Sequence, residues 1–156
     1  MQSPAPHRIG PVRGDLPAPC AAAALSSLTG RTVAYCHRVL ARNHGRCPLD
    51  SAVTPAVLTS LGDLGFRPVL ERHQPPPAFA DWAARAARGT YLVVVPDHIL
   101  AAEIDRPGRV AVRVADNGEC CTPWPAPPDA PLLALPVHES IRCVLLVEPH
   151  GPTPTV

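Results

Sequence analysis

Apolar positions along the chain follow two regimes. Before residue 89 they recur at helical spacing, and from Thr90 onward they run together or alternate. Cys20-Ala-Ala-Ala-Ala-Leu-Ser-Ser-Leu-Thr29 is apolar on nearly every side, with Pro17 and Pro19 before it and Gly30 after it. A residue preceding proline avoids the α region, so the pattern predicts a helix from about Cys20. Gly30 suits the left-handed position that ends it. Thr32 caps a second helix, with Val33, Cys36, Val39 and Leu40 on one face and His37, Arg38 and Arg42 on the other. Thr54-Pro55 reads as an N-cap followed by proline at the first helical position. The helix it opens turns Val57, Leu58, Leu61 and Leu64 inward and stops at Gly65. Phe79, Trp82, Ala83 and Ala86 give a fourth helix closing at Gly89, with Trp82 as a core anchor.

Strands dominate the rest of the chain. Residues 66–72 predict a short edge strand, because Pro68 cannot donate to a central ladder. Tyr91 to Val95 is an unbroken apolar run, the pattern of a strand buried on both faces. Residues 98–104 and 110–116 form a hairpin about 105–109. Symmetric pairing would set Ile104 opposite Val110, Ala102 opposite Val112, Leu100 opposite Val114 and His98 opposite Asp116. That face is apolar, while the other carries Glu103 and Arg113. Residues 122–136 are proline-rich and predict a surface wrap, and 139–147 a last strand. Helices first and an antiparallel sheet afterwards make an α+β domain. It spans 15–148, after an irregular surface arm at 1–14 and before a flexible tail at 149–156.

Composition narrows this picture. One domain of 156 residues buries a real core without covalent staples. A net charge of +1 gives no case for nucleic acid or an anionic membrane as partner. All 14 basic residues are arginine, which with 22 prolines and abundant alanine reflects coding bias more than chemistry. No apolar span reaches membrane-crossing length and no signal pattern opens the chain, so a cytoplasmic setting is expected. The six cysteines (20, 36, 47, 120, 121 and 143) then read as reduced thiols. They include no C-x-x-C pair, so neither a metal nor a cofactor is expected.

Two features carry chemistry. A thiol in the first helical turn faces unpaired backbone N–H groups and the positive end of the helix dipole, which favours thiolate. Opposed residues of an antiparallel pair have Cβ atoms about 4.5–5.5 Å apart, so His98 and Asp116 are expected to be neighbours. A carboxylate on one imidazole nitrogen fixes the tautomer and leaves the other for a nucleophile's proton. The same pair could equally satisfy itself at the end of a sheet.

The ordered motifs Cys20 opening a helix, A-L-S-x-L-T-G, a second helix with Tyr35, L-G-F, G-x-Y-L-V-V-x-x-x-H and D-N-G resemble the small papain-like cysteine peptidases. The likeness covers 15–118 and is nearest to bacterial and phage variants of the bacteriocin-processing type. It implies a papain-like fold and a polypeptide substrate, with Cys20 as nucleophile, His98 as base and Asp116 as orienting residue. Hydrolysis of a peptide or isopeptide is expected, and acyl transfer uses the same parts. Such enzymes usually carry a Gln about six residues before the Cys, where this chain has Gly14 followed by Asp15. The oxyanion candidates are then the backbone N–H of Cys20 and Asp15, although an ionised Asp accepts and does not donate. The alternative from another class is a catalytically silent papain-like domain, possibly phage-encoded, acting as a protein-binding module.

Overall fold

The computed structural model describes residues 9–10, 12–15, 19–44, 53–71, 73, 75–95, 98–104, 112–116, 119–124, 141 and 143–149. At 44, 53–54, 98, 112–116 and 119–124 it describes the backbone alone. In chain order the elements are α1 (Cys20–Thr29), α2 (Val33–His44), α3 (Val53–Asp63), β1 (Phe66–Glu71), α4 (Phe79–Arg85), β2 (Gly89–Val95), β3 (His98–Ile104), β4 (Val112–Asp116), β5 (Glu119–Trp124) and β6 (Cys143–Pro149). The six strands form one sheet in the order β1-β6-β2-β3-β4-β5, and every pairing is antiparallel. The α+β expectation holds.

The sheet divides two cores. On one face α1, α2 and α3 cover Leu92, Ile99, Ala101, Leu145 and Val147. On the other, Phe79, Trp82 and Ala83 of α4 cover Tyr91, Val93, Leu100, Ala102, Ile104 and Val144. The N-terminal helices therefore pack on the sheet as expected, while α4 lies on the opposite face. Alternation explains the division, since neighbouring residues of a strand point to opposite sides. Both rows of β2 and β3 are apolar enough to bury, as the unbroken run Tyr91 to Val95 implied.

α1 lies on β3, with β4 and β2 beside it. Ala22, Ala23 and Ala24 are at most 2 % exposed, so the helix sits close against Ala101 of the strand. It ends as expected at Gly30, whose φ of 77° is left-handed and whose N–H donates to the Ser26 carbonyl at 2.9 Å. Thr32 Oγ1 accepts from the Tyr35 N–H at 3.2 Å, confirming the cap of α2. α2 and α3 are clamped by Asn43, whose Nδ2 donates to Ser60 Oγ at 2.9 Å and to Asp63 Oδ2 at 3.2 Å. α3 begins at Val53, ahead of the predicted Thr54-Pro55 start.

Five expectations need correction. The arm is not wholly a surface segment, because Ile9 and Val12 are buried and Arg13 forms a parallel bridge with Thr32. Glu103 is also buried, on the α1 face, and its Oε1 accepts from the Ile9 N–H at 3.2 Å. The β3–β4 register is displaced by two residues: Ala102 stands opposite Val114 and Ile104 opposite Val112. Loop length sets hairpin register, and here positions 105–111 separate the strands where five residues were expected. Residues 119–124 form a sixth strand, β5, at the sheet edge, where Pro123 costs no ladder bond on its open side. The last strand begins at Cys143, later than predicted. The loop around Cys47, the wrap at 125–136 and the tail from 150 lie outside the described residues.

Tyr91 shows what this burial does to a titrating group. Its hydroxyl donates to the Ala87 carbonyl at 2.7 Å, and its ring meets Trp82 edge-on with centroids 5.0 Å apart. Burial, with a smaller contribution from the Glu71 charge, pushes the phenol up from 10.0 to about 12. A folded-state pKa above the unfolded one contributes stability that is complete below pH 10 and lost as pH rises through about 12. Denaturant titrations between pH 9 and 12 should therefore show a steeper alkaline loss in the native protein than in Tyr91→Phe. At pH 7 that variant should be weaker by about 1 kcal/mol, the worth of one hydrogen bond.

Candidate functional site

Cys20 is the first residue of α1 and is half-buried against the α1 core. The prolines before it explain the position. Pro19 takes the N-cap with φ −54° and ψ 135°, and its carbonyl accepts the first helical bond, from the Ala23 N–H, at 2.9 Å. No acidic residue occupies the first turn, so nothing in the helix itself opposes a negative sulfur there.

The far end of α1 is anchored. Gly10 N donates to the Ser27 carbonyl at 2.9 Å, while its neighbour Ile9 donates to Glu103 near the end of β3. Adjacent residues thus tie the C-terminal ends of α1 and β3 together. With those ends tied and α1 packed on β3, we infer that Cys20 and position 98, the starts of the two elements, lie toward the other end of the layer. Asp116 closes β4, one residue beyond the pair Ala101–Ala115, and so belongs to that same end.

The three positions share an end, and two details separate them. If the observed register continues, Asp116 stands level with residue 100, a diagonal neighbour of position 98 instead of its direct partner. Diagonal Cα atoms are about 7–8 Å apart, still within reach of long side chains. Position 98 pairs with Val95 and continues the row of Leu100, Ala102 and Ile104, the row beneath α4. α1 covers the other row. A triad therefore requires the chain to leave this alternation at the start of β3, next to positions 96 and 97. The side chains of His98 and Asp116 lie outside the described residues.

A β-bulge adjoins Asp116. Val114 pairs with Thr122 but Asp116 with Glu119, so Cys120 and Cys121 together oppose Ala115. Bulges twist a strand locally and re-aim its side chains, and they concentrate next to active sites. No sequence signal announced this one, because Glu119-Cys-Cys-Thr-Pro-Trp shows no alternation.

At Pro19, the residue before Cys20, opens a cleft of about 700 Å³, lined by Gly14, Asp15, Pro19, Thr32, Val33, Ala34, His37 and Arg38, with Cys20 itself not in the lining. Gly14 has φ 140°, and a Cβ there would come within 3.1 Å of Val33 Cβ. A glutamine at this position would be strained by both backbone and Val33. Asp15 is exposed on the cleft wall. His37 and Arg38, read from the sequence only as solvated, are exposed and line the same cleft. Their helical spacing from the cap at Thr32 was the available signal.

Among the described residues no group of three His, Cys, Asp or Glu converges as a metal site would require. Nor is any helix long and apolar enough to cross a membrane. Comparison with known proteins finds no matching family model, no matching curated protein and no matching solved structure.

Cys36 is fully buried in α2, with its sulfur 3.9 Å from Thr29 Oγ1. Burial pushes this thiol up from 9.0, against smaller opposing effects of the Thr29 contact and the Arg31 charge. In native protein at pH 8, Cys36 should therefore alkylate far more slowly than Cys20, and the two rates should converge in denaturant. Peptide mapping of iodoacetamide adducts over time measures both.

Proposed function

We propose that this chain is a papain-like cysteine hydrolase acting on a peptide or isopeptide bond. Cys20 serves as nucleophile, His98 as base and then acid, and Asp116 as the residue that orients His98. The observation that carries the reading is the shared end of the layer. Cys20 opens a buried helix there, the strand led by His98 starts there, and the strand closed by Asp116 stops there. The resemblance of the ordered motifs supports the same roles. In this chemistry the Cys20 thiolate adds to the substrate carbonyl and His98 protonates the departing amine. Water, deprotonated by His98, then cleaves the acyl-enzyme. The Cys20 N–H is the oxyanion donor within reach of the nucleophile.

A second reading is favoured by one observation. Gly14 occupies the position of the usual glutamine in a conformation and a space that suit glycine. One missing oxyanion donor costs about 10²–10³ in rate. A domain so equipped could keep the fold and act only as a binding module.

Thiol reactivity separates the readings without knowledge of the substrate. Near pH 7, Cys20 should be the fastest-labelled thiol of the native chain, and His98→Ala should slow it by about tenfold through loss of the imidazolium partner. Asp116→Asn should also slow it by disturbing the His98 tautomer. Equal Cys20 rates in native protein and His98→Ala would remove the triad. Undiminished biological effect of Cys20→Ala in cells would establish the binding module.

A further inference from the structure

We propose that Arg31, Tyr35 and Arg38 form a docking platform for an acidic polypeptide segment, joined through Arg38 to the cleft between Pro19 and α2. The identity of that polypeptide as substrate rests on the hydrolase reading; the binding itself does not.

Tyr35 and Leu70 are the two large apolar side chains exposed among the described residues, and Tyr35 stands on the outer face of α2. Two guanidinium groups lie against its ring, Arg31 with Cζ 5.4 Å from the centroid and Arg38 with Cζ 5.7 Å. Stacking on an aromatic face restrains a long side chain while leaving its N–H edge open to an acceptor. Among the described residues neither arginine forms an ion pair. Arg42, the next cation along the same helix, instead donates to Asp63 at 3.0 Å. The platform thus holds two ring-stacked guanidinium groups with no ion-pair partner among the described residues, and such groups can receive carboxylates in bidentate fashion.

Charge along the cleft gives the occupant a direction. Asp15 and Pro19 line it near Cys20, and His37 and Arg38 line it further along α2. A carboxylate is repelled beside Asp15 and attracted at Arg38. Val33 and Arg38 are five residues apart in sequence, about 7.5 Å along a helix. An extended peptide covers that distance in two to three residues. An acidic side chain of the occupant is therefore received at the Arg38 end of the cleft, two or three extended residues from the part that lies against Val33.

Fluorescence anisotropy on the full chain carrying Cys20→Ala tests this without turnover. The probes are a fluorescein-labelled octapeptide with three consecutive glutamates, its glutamine counterpart, and labelled dT8. The glutamate peptide should bind more tightly than the other two, and its binding should weaken with added salt. Arg31→Glu combined with Arg38→Glu should weaken it about tenfold. Arg31→Lys with Arg38→Lys should give a smaller loss, because charge survives and the stacked fork does not. Both positions are exposed, and unchanged circular dichroism confirms that the variants fold. Equal affinity for the glutamate and glutamine peptides, or no effect of charge reversal, would overturn the proposal. Preference for dT8 would also overturn it, assigning the platform to nucleic acid. The Cys20 labelling rates are independent of all these outcomes, so the platform and the hydrolase reading fail separately.

Discussion

A helix buried on every side must find partners for its polar groups within the protein. α1 is such a helix, with Ala22 to Leu28 buried without interruption. Its two serines lie within that span and are satisfied by the arm. Ser26 Oγ accepts from the Arg13 N–H at 2.9 Å and donates to the Arg31 carbonyl at 2.7 Å. Ser27 Oγ donates to the Gly10 carbonyl at 2.6 Å. The arm, the helix and β3 consequently form one unit, closed by Glu103 accepting from Ile9. Without residues 9–13, Ser27 Oγ and Glu103 would lose these partners while Ser26 would keep only its bond to the Arg31 carbonyl, and each buried group left unpaired costs about 1–3 kcal/mol.

The same arrangement explains the state of the candidate site. Anchoring one end of α1 leaves the other end, capped by Pro19, to meet a cleft. The helix is held by its sides and its C-terminal turn, so its N-terminal dipole is fixed in direction. Gly14 belongs to this stitching as well: Arg13 is bridged to Thr32 and bonded to Ser26, and the chain turns tightly against Val33 just afterwards. The feature that removes a glutamine from the cleft is thus the one that seats the arm on α1.

Legibility in the sequence followed the strength of local signals. Cys20 to Gly30 was read to its boundaries, because proline and glycine punctuate an otherwise helical run. β3 was read from 98 to 104 because its residues form a continuous hydrophobic block broken only by Glu103. That glutamate was read as marking the other, polar face, since only the distant Ile9 N–H explains its burial. Ile9 and Val12 were hidden among prolines that suggested a loose arm. β5 was missed because Pro123 and the paired cysteines conceal its period. The hairpin register failed by two residues because symmetry was assumed across a connection that is longer. The even offset preserved the pairing row of Ala102 with Val114 and of Ile104 with Val112. Which side of the sheet that row meets could not be read locally, because it depends on α4 crossing to the face opposite α1.

The strand order has a consequence for how the chain is made. β6, the last strand, lies between β1 and β2 and pairs with both. Until residues 143–149 leave the ribosome, the sheet exists as two pieces, each presenting an open edge of backbone donors and acceptors. Tyr91 to Val94 pair with β6 in the finished sheet and would form one of those edges. Such edges invite pairing with other chains. A chain that lacks residues 143–149 therefore presents an apolar seam where β6 belongs.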